Sequence, residues 1–182
     1  MTFKKLSFAL FLSLLALAVA NRASAQAAPS AFKSPISLTV GGTASIFRPD
    51  YVPSALGGVG AYVDLNLFHG VGIEAEGRWQ RFHEFEGINQ DNYLIGPRVR
   101  VLRFWRASPY VKVLGGFSNM NFGDGIGTGR FTTVAFGGGV DLHLNHRWSV
   151  RPINVEYQYW PTFLGSSLSP YGASAGISYR IF

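Results

Sequence analysis

Apolar and polar residues alternate along eight separate stretches of this chain, and this period of two constrains its fold more than any other feature. In the first stretch, serine, threonine or glycine stands between the apolar residues Ile36, Leu38, Val40, Ala44 and Ile46. Successive side chains of a β-strand point to opposite faces, whereas a helix repeats about every 3.6 residues. The pattern therefore predicts an all-β chain.

Links of two kinds alternate between the predicted strands. The strands cover about ten to thirteen residues each, against about five or six in an ordinary strand. The long links are placed at about 48–57, 83–91, 118–132 and 161–170. The short links are His69-Gly70, about 103–108, and Asn145-His146. Alternating short and long links predict a series of antiparallel hairpins.

Two prolines interrupt the predicted strands. Arg151 breaks the alternation of the seventh stretch and Pro152 follows it, so we predict a β-bulge at this point. Pro97 lies inside the fourth stretch, where it cannot donate a ladder hydrogen bond. We predict a second local bulge there.

The first 25 residues have the three parts of a secretory signal peptide. Lys4 and Lys5 form a basic start, an apolar stretch runs from Leu6 to Ala20, and Ala23-Ser24-Ala25 supplies a small-residue cleavage site. The apolar stretch is short for a membrane-spanning helix, which needs about 20 residues. We therefore predict a signal peptide over residues 1–25 and not a retained anchor.

The remaining chain divides into a flexible leader, residues 26–34, and a strand-rich domain, residues 35–182. Loss of Lys4, Lys5 and Arg22 with the signal peptide lowers the formal charge from +6 to +3. This small excess of positive charge does not favour a nucleic-acid partner. The chain has no cysteine, which excludes disulfides, thiolate metal sites and a thiol nucleophile.

A closed barrel can be built in two ways from this alternation. A soluble barrel such as a lipocalin packs its apolar face inward, whereas a membrane barrel turns that face toward lipid. The polar faces of the predicted strands carry charges of both signs, which can neutralise one another in a closed lumen. These residues are Glu74, Glu76, Arg78, Arg98, Arg100, Lys112, Asp141, Glu156 and Arg180. The mixed charges favour the membrane barrel.

Aromatic residues gather near both ends of the predicted strands, as in the two interfacial girdles of membrane barrels. Beside the long links lie Phe47, Tyr51, Trp79, Phe82, Tyr93, Phe117, Tyr159 and Trp160. Near the short links lie Phe68, Phe104, Trp105, Trp148, Tyr179 and Phe182. The strands are also long enough to cross a bilayer, which takes about 9–11 tilted residues. We predict an eight-stranded antiparallel up-and-down transmembrane β-barrel.

The interior of an eight-stranded barrel is only wide enough for its own side chains. We therefore expect the charged residues of the polar faces to form a plug of ion pairs and hydrogen bonds, and not a channel. Buried charges are costly unless they are paired, so each of these residues needs a partner inside.

The last strand resembles the C-terminal assembly signal of the small outer-membrane β-barrel family, which includes the OmpA transmembrane domain and OmpX-like proteins. The matching positions are Ser174, Gly176, Tyr179 and Ile181, with Phe182 as the terminal aromatic. Ile181 stands where the family prefers an aromatic residue, and Phe182 is one place out of phase. The resemblance covers about residues 35–182. It implies contact with outer-membrane lipid and lipopolysaccharide, and recognition of the last strand by the barrel assembly machinery.

We expect a monomeric structural or surface-exposed protein with both termini and the short turns in the periplasm. The long links would then face outward and contact a surface partner. Two alternatives stay open, a narrow porin-like channel for small solutes and an outer-membrane lipid-modifying enzyme.

No motif in the chain predicts a catalytic, cofactor or metal site. His83-Glu84, with Glu86 and Asp91, is better explained as a solvated acidic loop than as a cation site. The glycine-rich stretch 123–130 lacks the Gly-Lys-Ser/Thr ending of a phosphate-binding loop, and we interpret it as a mobile loop.

Overall fold

The computed structural model describes residues 36–50, 55–81, 89–121, 127–163 and 166–182. The predicted signal peptide and leader lie outside these residues. Nine antiparallel strands are present in the described part of the chain. They are β1 (Ser37–Arg48), β2 (Leu56–Phe68), β3 (Val71–Arg81), β4 (Asn89–Arg100), β5 (Ala107–Asn121), β6 (Thr128–His143), β7 (Trp148–Phe163), β8 (Ser166–Leu168) and β9 (Tyr171–Arg180). The described residues include no helix that is long and apolar enough to cross a membrane.

Eight of these strands close into a ring, which confirms the predicted all-β up-and-down barrel. Each strand pairs with the next from β1 to β7, then β7 pairs with β9 and β9 pairs with β1. The short β8 pairs only with the end of β7. In this ring β3 lies four strands from β7, so these two strands form opposite walls. The same holds for β2 and β6.

The short links lie together at one end of the barrel, here called the short-turn end. His69 and Gly70 join β2 to β3 with φ angles of 46° and 87°, as a type I′ turn requires. This confirms the predicted two-residue turn. In the link from β6 to β7, the side-chain Oδ1 of Asn145 accepts hydrogen bonds from the backbone N–H groups of Arg147 and Trp148, at 2.9 and 2.8 Å.

At the other end the strands run further than their alternation predicted. The predicted link 118–132 is wrong in its bounds, because β5 continues to Asn121 and β6 begins at Thr128. Of the glycine-rich stretch 123–130, residues 128–130 belong to β6 and residues 123–126 lie outside the described part. Inward positions on the extended strands, such as Met120 and Phe131, are buried.

The two prolines behave differently. The register shifts between Arg151 and Asn154 on the β9 side and opposite Asp141 on the β6 side, which confirms the bulge at Pro152. The bulge predicted at Pro97 is wrong. The β3 register runs through Pro97 unbroken, and the β5 register is the same before and after it. The barrel accommodates Pro97 by leaving a gap in the β4–β5 ladder, without inserting a residue.

The apolar faces of the strands point outward and the polar faces point into the lumen. Val59 is 62% exposed, whereas Glu74 and Arg78 are 0% exposed. Ile73, Ile95 and many other large apolar residues are exposed in the same way. This confirms the inside-out arrangement of a membrane barrel and excludes the soluble barrel.

The aromatic residues near the strand ends are divided between the two faces. Tyr93 and Phe117 are exposed, and the indole N–H of Trp79 donates to the Tyr93 hydroxyl at 3.2 Å. The girdle assignment of Phe47 and Trp160 is wrong, because both occupy inward positions and are buried. Tyr51 and Phe82 lie outside the described residues. At the short-turn end the rings of Trp148 and Tyr179 meet edge to face at 5.0 Å.

Candidate functional site: the charged lumen

The lumen contains a continuous set of ion pairs, here called the lumenal network. Glu74, Glu76 and Arg78 follow one another at every second position of β3, so all three side chains point inward. Their partners come from β4, β5 and β7. Eleven ion pairs within 4 Å are formed among the described residues, and only Arg81 with Asp91 lies outside the lumen.

Arg78 is the centre of the half of the network that faces away from the short turns. Its Nη1 and Nη2 atoms donate to the two carboxylate oxygens of Glu156 on β7, each at 3.1 Å. Its Nε donates to Glu76 at 3.1 Å. The guanidinium carbon also lies 4.1 Å from the ring centroid of Phe47. Arg78 therefore joins two opposite walls and has an aromatic ring against one face.

Lys112 on β5 occupies the middle of the lumen and touches three carboxylates. Its Nζ donates to Glu74 Oε1 and Glu76 Oε2 at 2.7 Å each, and lies 3.4 Å from Glu156 Oε2. An ammonium group has three N–H donors, so one lysine can serve all three acids. The side chain is fully buried.

Two arginines organise the half nearer the short turns. Arg98 on β4 pairs with Asp64 on β2 and with Asp141 on β6, which are opposite walls of the ring. Arg151 on β7 donates to Glu74 Oε2 at 3.1 Å and to Asp141 Oδ1 at 3.0 Å. Glu74 thus accepts from both halves and connects them into one network.

Tyrosine rings support these two arginines. The Arg98 guanidinium lies 3.8 Å from the ring centroid of Tyr110, and the Arg151 guanidinium lies 3.9 Å from that of Tyr62. Such cation–π contacts are strongest where water is excluded. The Tyr110 hydroxyl in turn donates to Asn154 Oδ1 at 2.9 Å, and Asn154 Nδ2 donates to the hydroxyl of Ser174 at 3.2 Å.

An apolar cluster lies in the lumen at the end away from the short turns. It comprises Met120, Phe131, Trp160 and Leu168. The rings of Phe131 and Trp160 stack at 5.9 Å, and Trp160 is 0% exposed. The Trp160 indole N–H donates to Gln158 Oε1 at 3.0 Å, and Gln158 Nε2 donates to Glu156 Oε1 at 2.9 Å. The cluster is therefore hydrogen-bonded directly to the lumenal network.

The residues that bear charge in the lumen differ in part from those proposed from sequence. The structure brings together Glu74, Glu76, Arg78, Arg98, Lys112, Asp141 and Glu156. Two further members were missed, Asp64 and Arg151. The alternation of the second stretch already places Asp64 on the inward face. It does not place Arg151, because the bulge at Pro152 shifts the alternation at that point.

Arg100 and Arg180 are not members of the network. Both line a cavity at the short-turn end and form no ion pair with a carboxylate of the described residues. Their alternation places them on the lumenal side, as predicted, but β9 carries no carboxylate and Asp91, the one carboxylate of β4, is paired with Arg81. The sequence indicates the face of a residue and not its depth along the barrel.

The five residues of the C-terminal signal lie on and after the strand that closes the ring. Ser174 is buried and hydrogen-bonded to Asn154, and Gly176 lies opposite Thr43 of β1. The hydroxyl of Tyr179 accepts from Arg147 Nη1 at 2.8 Å. Ile181 and Phe182 are both exposed and continue the pairing with Leu38 by backbone hydrogen bonds of 2.8 and 3.2 Å.

Histidine and acidic residues do not converge on a reactive centre in the described part of the chain. No group of three or more histidine, aspartate or glutamate residues there has the geometry to hold a metal ion. Nδ1 of His143 lies 3.1 Å from the backbone carbonyl oxygen of Arg106. His83, Glu84 and Glu86 lie outside the described residues.

A closed sheet with an apolar outer belt and a charged, paired interior defines a transmembrane β-barrel. The chain belongs to the family described as the outer membrane protein beta-barrel domain, whose model matches residues 9–180. The outer membrane is therefore its location, and its apolar belt contacts lipid there. A comparison with curated protein sequences gives no match.

Solved structures of small outer-membrane barrels have the same fold. Neisserial surface protein A is 7% identical with a TM-score of 0.65, over 79% of this chain and 96% of that one. Outer membrane protein OprG from Pseudomonas aeruginosa is 10% identical with a TM-score of 0.59, over 80% and 95%. The N-terminal barrel of OprF from the same organism is 15% identical with a TM-score of 0.55, over 81% and 100%. At these identities the likeness concerns the fold alone.

Proposed function

We propose that this protein is a structural, surface-exposed barrel of a Gram-negative outer membrane whose lumen is closed to solutes. The observation that carries the proposal is the lumenal network itself. Arg78 joins β3 to β7 across the ring, and Arg98 joins β2, β4 and β6. A solute would have to break several buried ion pairs to pass.

The apolar cluster adds a second barrier in series. Trp160 and Phe131 stack where a solute from the far end would enter, and hydrated ions do not cross such a surface readily. Charged residues inside a conducting barrel leave a water-filled path between them. Here Lys112 and Arg78 are fully buried by their neighbours instead.

Secretion and orientation form part of the proposal. Residues 1–25 direct export, the short turns and both termini face the periplasm, and the longer links face outward, as is usual for barrels of this class. The assembly machinery of the outer membrane engages the last strand through Ser174, Gly176, Tyr179, Ile181 and Phe182. The folded protein is a monomer surrounded by phospholipid and lipopolysaccharide, and its outward links contact a surface partner.

The role we propose is not enzymatic. The inward carboxylates of Glu74, Glu76 and Glu156 are paired with cations, and the hydroxyls of Ser118 and Thr133 are hydrogen-bonded to each other at 2.6 Å. His143 is directed to a backbone carbonyl and not to a serine that it could activate. Purified protein in detergent should release no fatty acid from phospholipid or lipopolysaccharide, and measurable release would favour the lipid-modifying enzyme.

Single-channel recording in planar bilayers tests the closed lumen. We expect the native protein to give no stable conductance steps. The triple variant Arg78→Ser, Glu156→Ser, Trp160→Ala removes a matched pair of opposite charges together with the large ring of the apolar cluster, so it should conduct more than the native protein. The matched control is Arg81→Ser, Asp91→Ser, which removes an exposed ion pair from the neighbouring strands.

Heat-modifiability on a gel establishes that each variant is folded before it is recorded. Large and stable steps from the native protein would contradict the proposal and favour the narrow pore.

The contact with a surface partner is tested separately, by shortening the outward links one at a time, beginning with the link between β3 and β4. Unchanged cell adhesion and stress survival after each outward link is shortened in turn would remove that part of the proposal.

A further inference from the structure

A polar cavity of about 210 Å³ opens at the short-turn end of the lumen. Three arginines line it, Arg100 from the end of β4, Arg103 from the following link, and Arg180 from the end of β9. Asn66 and the His69-Gly70 turn complete much of the wall. No acidic residue is among the residues that line the cavity.

These three arginines differ from those of the lumenal network because no carboxylate of the described residues neutralises them. The nearest carboxylates of the lumenal network, Asp64 and Asp141, are already paired with Arg98, and Asp141 also pairs with Arg151. The positive charges of Arg98, Arg103 and Arg180 repel Arg100, and the carboxylate of Asp141, which attracts it, is already paired with two arginines. A concave surface that gathers like charges in this way attracts counter-anions.

We propose that this cavity is an anion-binding site for a phosphate group. Guanidinium groups bind phosphate oxygens through two parallel hydrogen bonds, and three of them can surround one group. The side-chain amide of Asn66 offers a further donor. A volume of about 210 Å³ is below the roughly 300–1,000 Å³ of pockets for whole small molecules. The cavity therefore suits a single phosphate group.

The backbone around the cavity is held in place before any anion arrives. The Arg100 N–H donates to the Gly70 carbonyl oxygen at 2.7 Å, and the Arg180 N–H donates to the Arg147 carbonyl oxygen at 2.7 Å. Gly70 has a φ of 87°, and an added Cβ there would lie 3.1 Å from the Cβ of Arg100. The turn therefore packs closely against one of the three arginines, which limits the ordering needed on binding.

The phosphate group has two possible sources, free inorganic phosphate or the headgroup of a phospholipid at the membrane edge. The link that carries Arg103 also carries Leu102, Phe104 and Trp105, all strongly exposed. These apolar side chains would lie against acyl chains if the headgroup is the ligand. The inference does not rest on the proposed closed lumen, since a conducting barrel could hold the same site.

Isothermal titration calorimetry of the purified barrel in an uncharged maltoside detergent tests the site. Inorganic phosphate is one probe, and phosphatidylglycerol in the micelle is the other, with diacylglycerol as its phosphate-free counterpart. Arg100→Gln and Arg180→Gln should each weaken binding about tenfold or more, since each removes a charged hydrogen-bond partner. Arg147→Gln is the matched control, because Arg147 lies at the same end outside the cavity and donates to Tyr179.

Phosphate binding that is weakened in both cavity variants and kept in the control supports the site with a soluble ligand. Binding of phosphatidylglycerol alone, with the same pattern among the variants, supports the site with a lipid ligand. Binding of neither probe overturns the inference. An equal loss in Arg147→Gln also overturns it, because it would show a diffuse effect of charge. Arg100 and Arg180 have no partner in the lumenal network, so the variants should fold, which heat-modifiability checks.

Discussion

Arg78 on β3 and Glu156 on β7 join opposite walls of the barrel through two parallel hydrogen bonds of 3.1 Å each. Fork-to-fork pairing of this kind fixes direction as well as distance, because both groups are planar. Glu76 and Phe47 hold the same guanidinium from two further sides. The pair therefore specifies how far apart β3 and β7 can lie.

Removal of Arg78 should be strongly destabilising. Arg78→Ala leaves Glu156 and Glu76 buried beside a single remaining cation, Lys112, and a buried charge without its partner costs about 3–5 kcal/mol. We expect a loss of that size in the free energy of unfolding, measured by urea titration in detergent or liposomes. Arg81→Ala removes an exposed pair with Asp91 and should cost about 0–1 kcal/mol. Equal effects of the two variants would mean that the lumenal network contributes little to stability.

A methyl group at Gly176 should impair folding. An added Cβ would lie inside van der Waals contact of the Gly42 carbonyl oxygen on β1 and 2.8 Å from Cγ2 of Thr43. The backbone oxygen cannot move away without breaking the β1–β9 ladder, so we expect Gly176→Ala to cost roughly 1–3 kcal/mol.

Gly115→Ala is the control for that substitution, since nothing lies within 4 Å of its added Cβ. The measurement is spontaneous refolding of the purified chain into liposomes, followed by the folded band on an unheated gel. The assembly machinery is absent from this experiment, so the result reports packing and not recognition of the last strand. Refolding of Gly176→Ala at the native yield and stability would contradict the close approach of β1 and β9.

Truncation of Trp160 should create a cavity in the apolar cluster. Trp160→Ala removes the ring that stacks on Phe131 and leaves Gln158 without its indole donor, so we expect a loss of about 3–5 kcal/mol in unfolding free energy. Trp105→Ala, at the exposed turn, should cost far less. A small effect of Trp160→Ala would place its side chain outside the lumen, as the girdle assignment assumed.

A charge placed at two exposed apolar residues should destabilise the barrel to different extents. Ile95 is 59% exposed in the middle of β4, and Leu102 is 63% exposed in the link that follows. In liposomes, Ile95→Arg should cost about 2–4 kcal/mol because it places a cation in the hydrocarbon, whereas Leu102→Arg lies near the interface and should cost about 0–1 kcal/mol. Equal costs, read from urea unfolding, would contradict the position of the apolar belt.

Alternation predicted the strands, and the charges of both signs on their polar faces predicted which face points to lipid. Glu74 and Ile73 are neighbours on β3, and their opposite orientations follow from the period of two. The same period would have placed Phe47 and Trp160 inside, but their position beside strand ends suggested the girdle. A lumen needs filling at its ends as well as its middle, and large aromatic side chains serve that purpose where no charge partner is available.

The identity of the ion pairs could not be predicted. Arg98 of β4 contacts Asp64 of β2 and Asp141 of β6, two strands away on either side along the ring. Which residues of these strands lie level with one another depends on the tilt and stagger of the closed ring. Arg151 was concealed by the bulge that reverses the alternation at Pro152. At Pro97 the sequence predicted a bulge that is absent, because a barrel strand can omit a hydrogen bond without gaining a residue.

The pairs that cross the lumen also couple membrane entry to completion of the ring. Arg78 and Glu156 are 78 positions apart in the chain, and Arg151 and Glu74 are 77 apart. A hairpin such as β3–β4 that moved into hydrocarbon by itself would carry charges whose partners are still in water, which is costly. The last hairpin must therefore reach the membrane before the first hairpins can insert fully into the hydrocarbon. The sequence thus favours concerted insertion of all strands over insertion of one strand at a time.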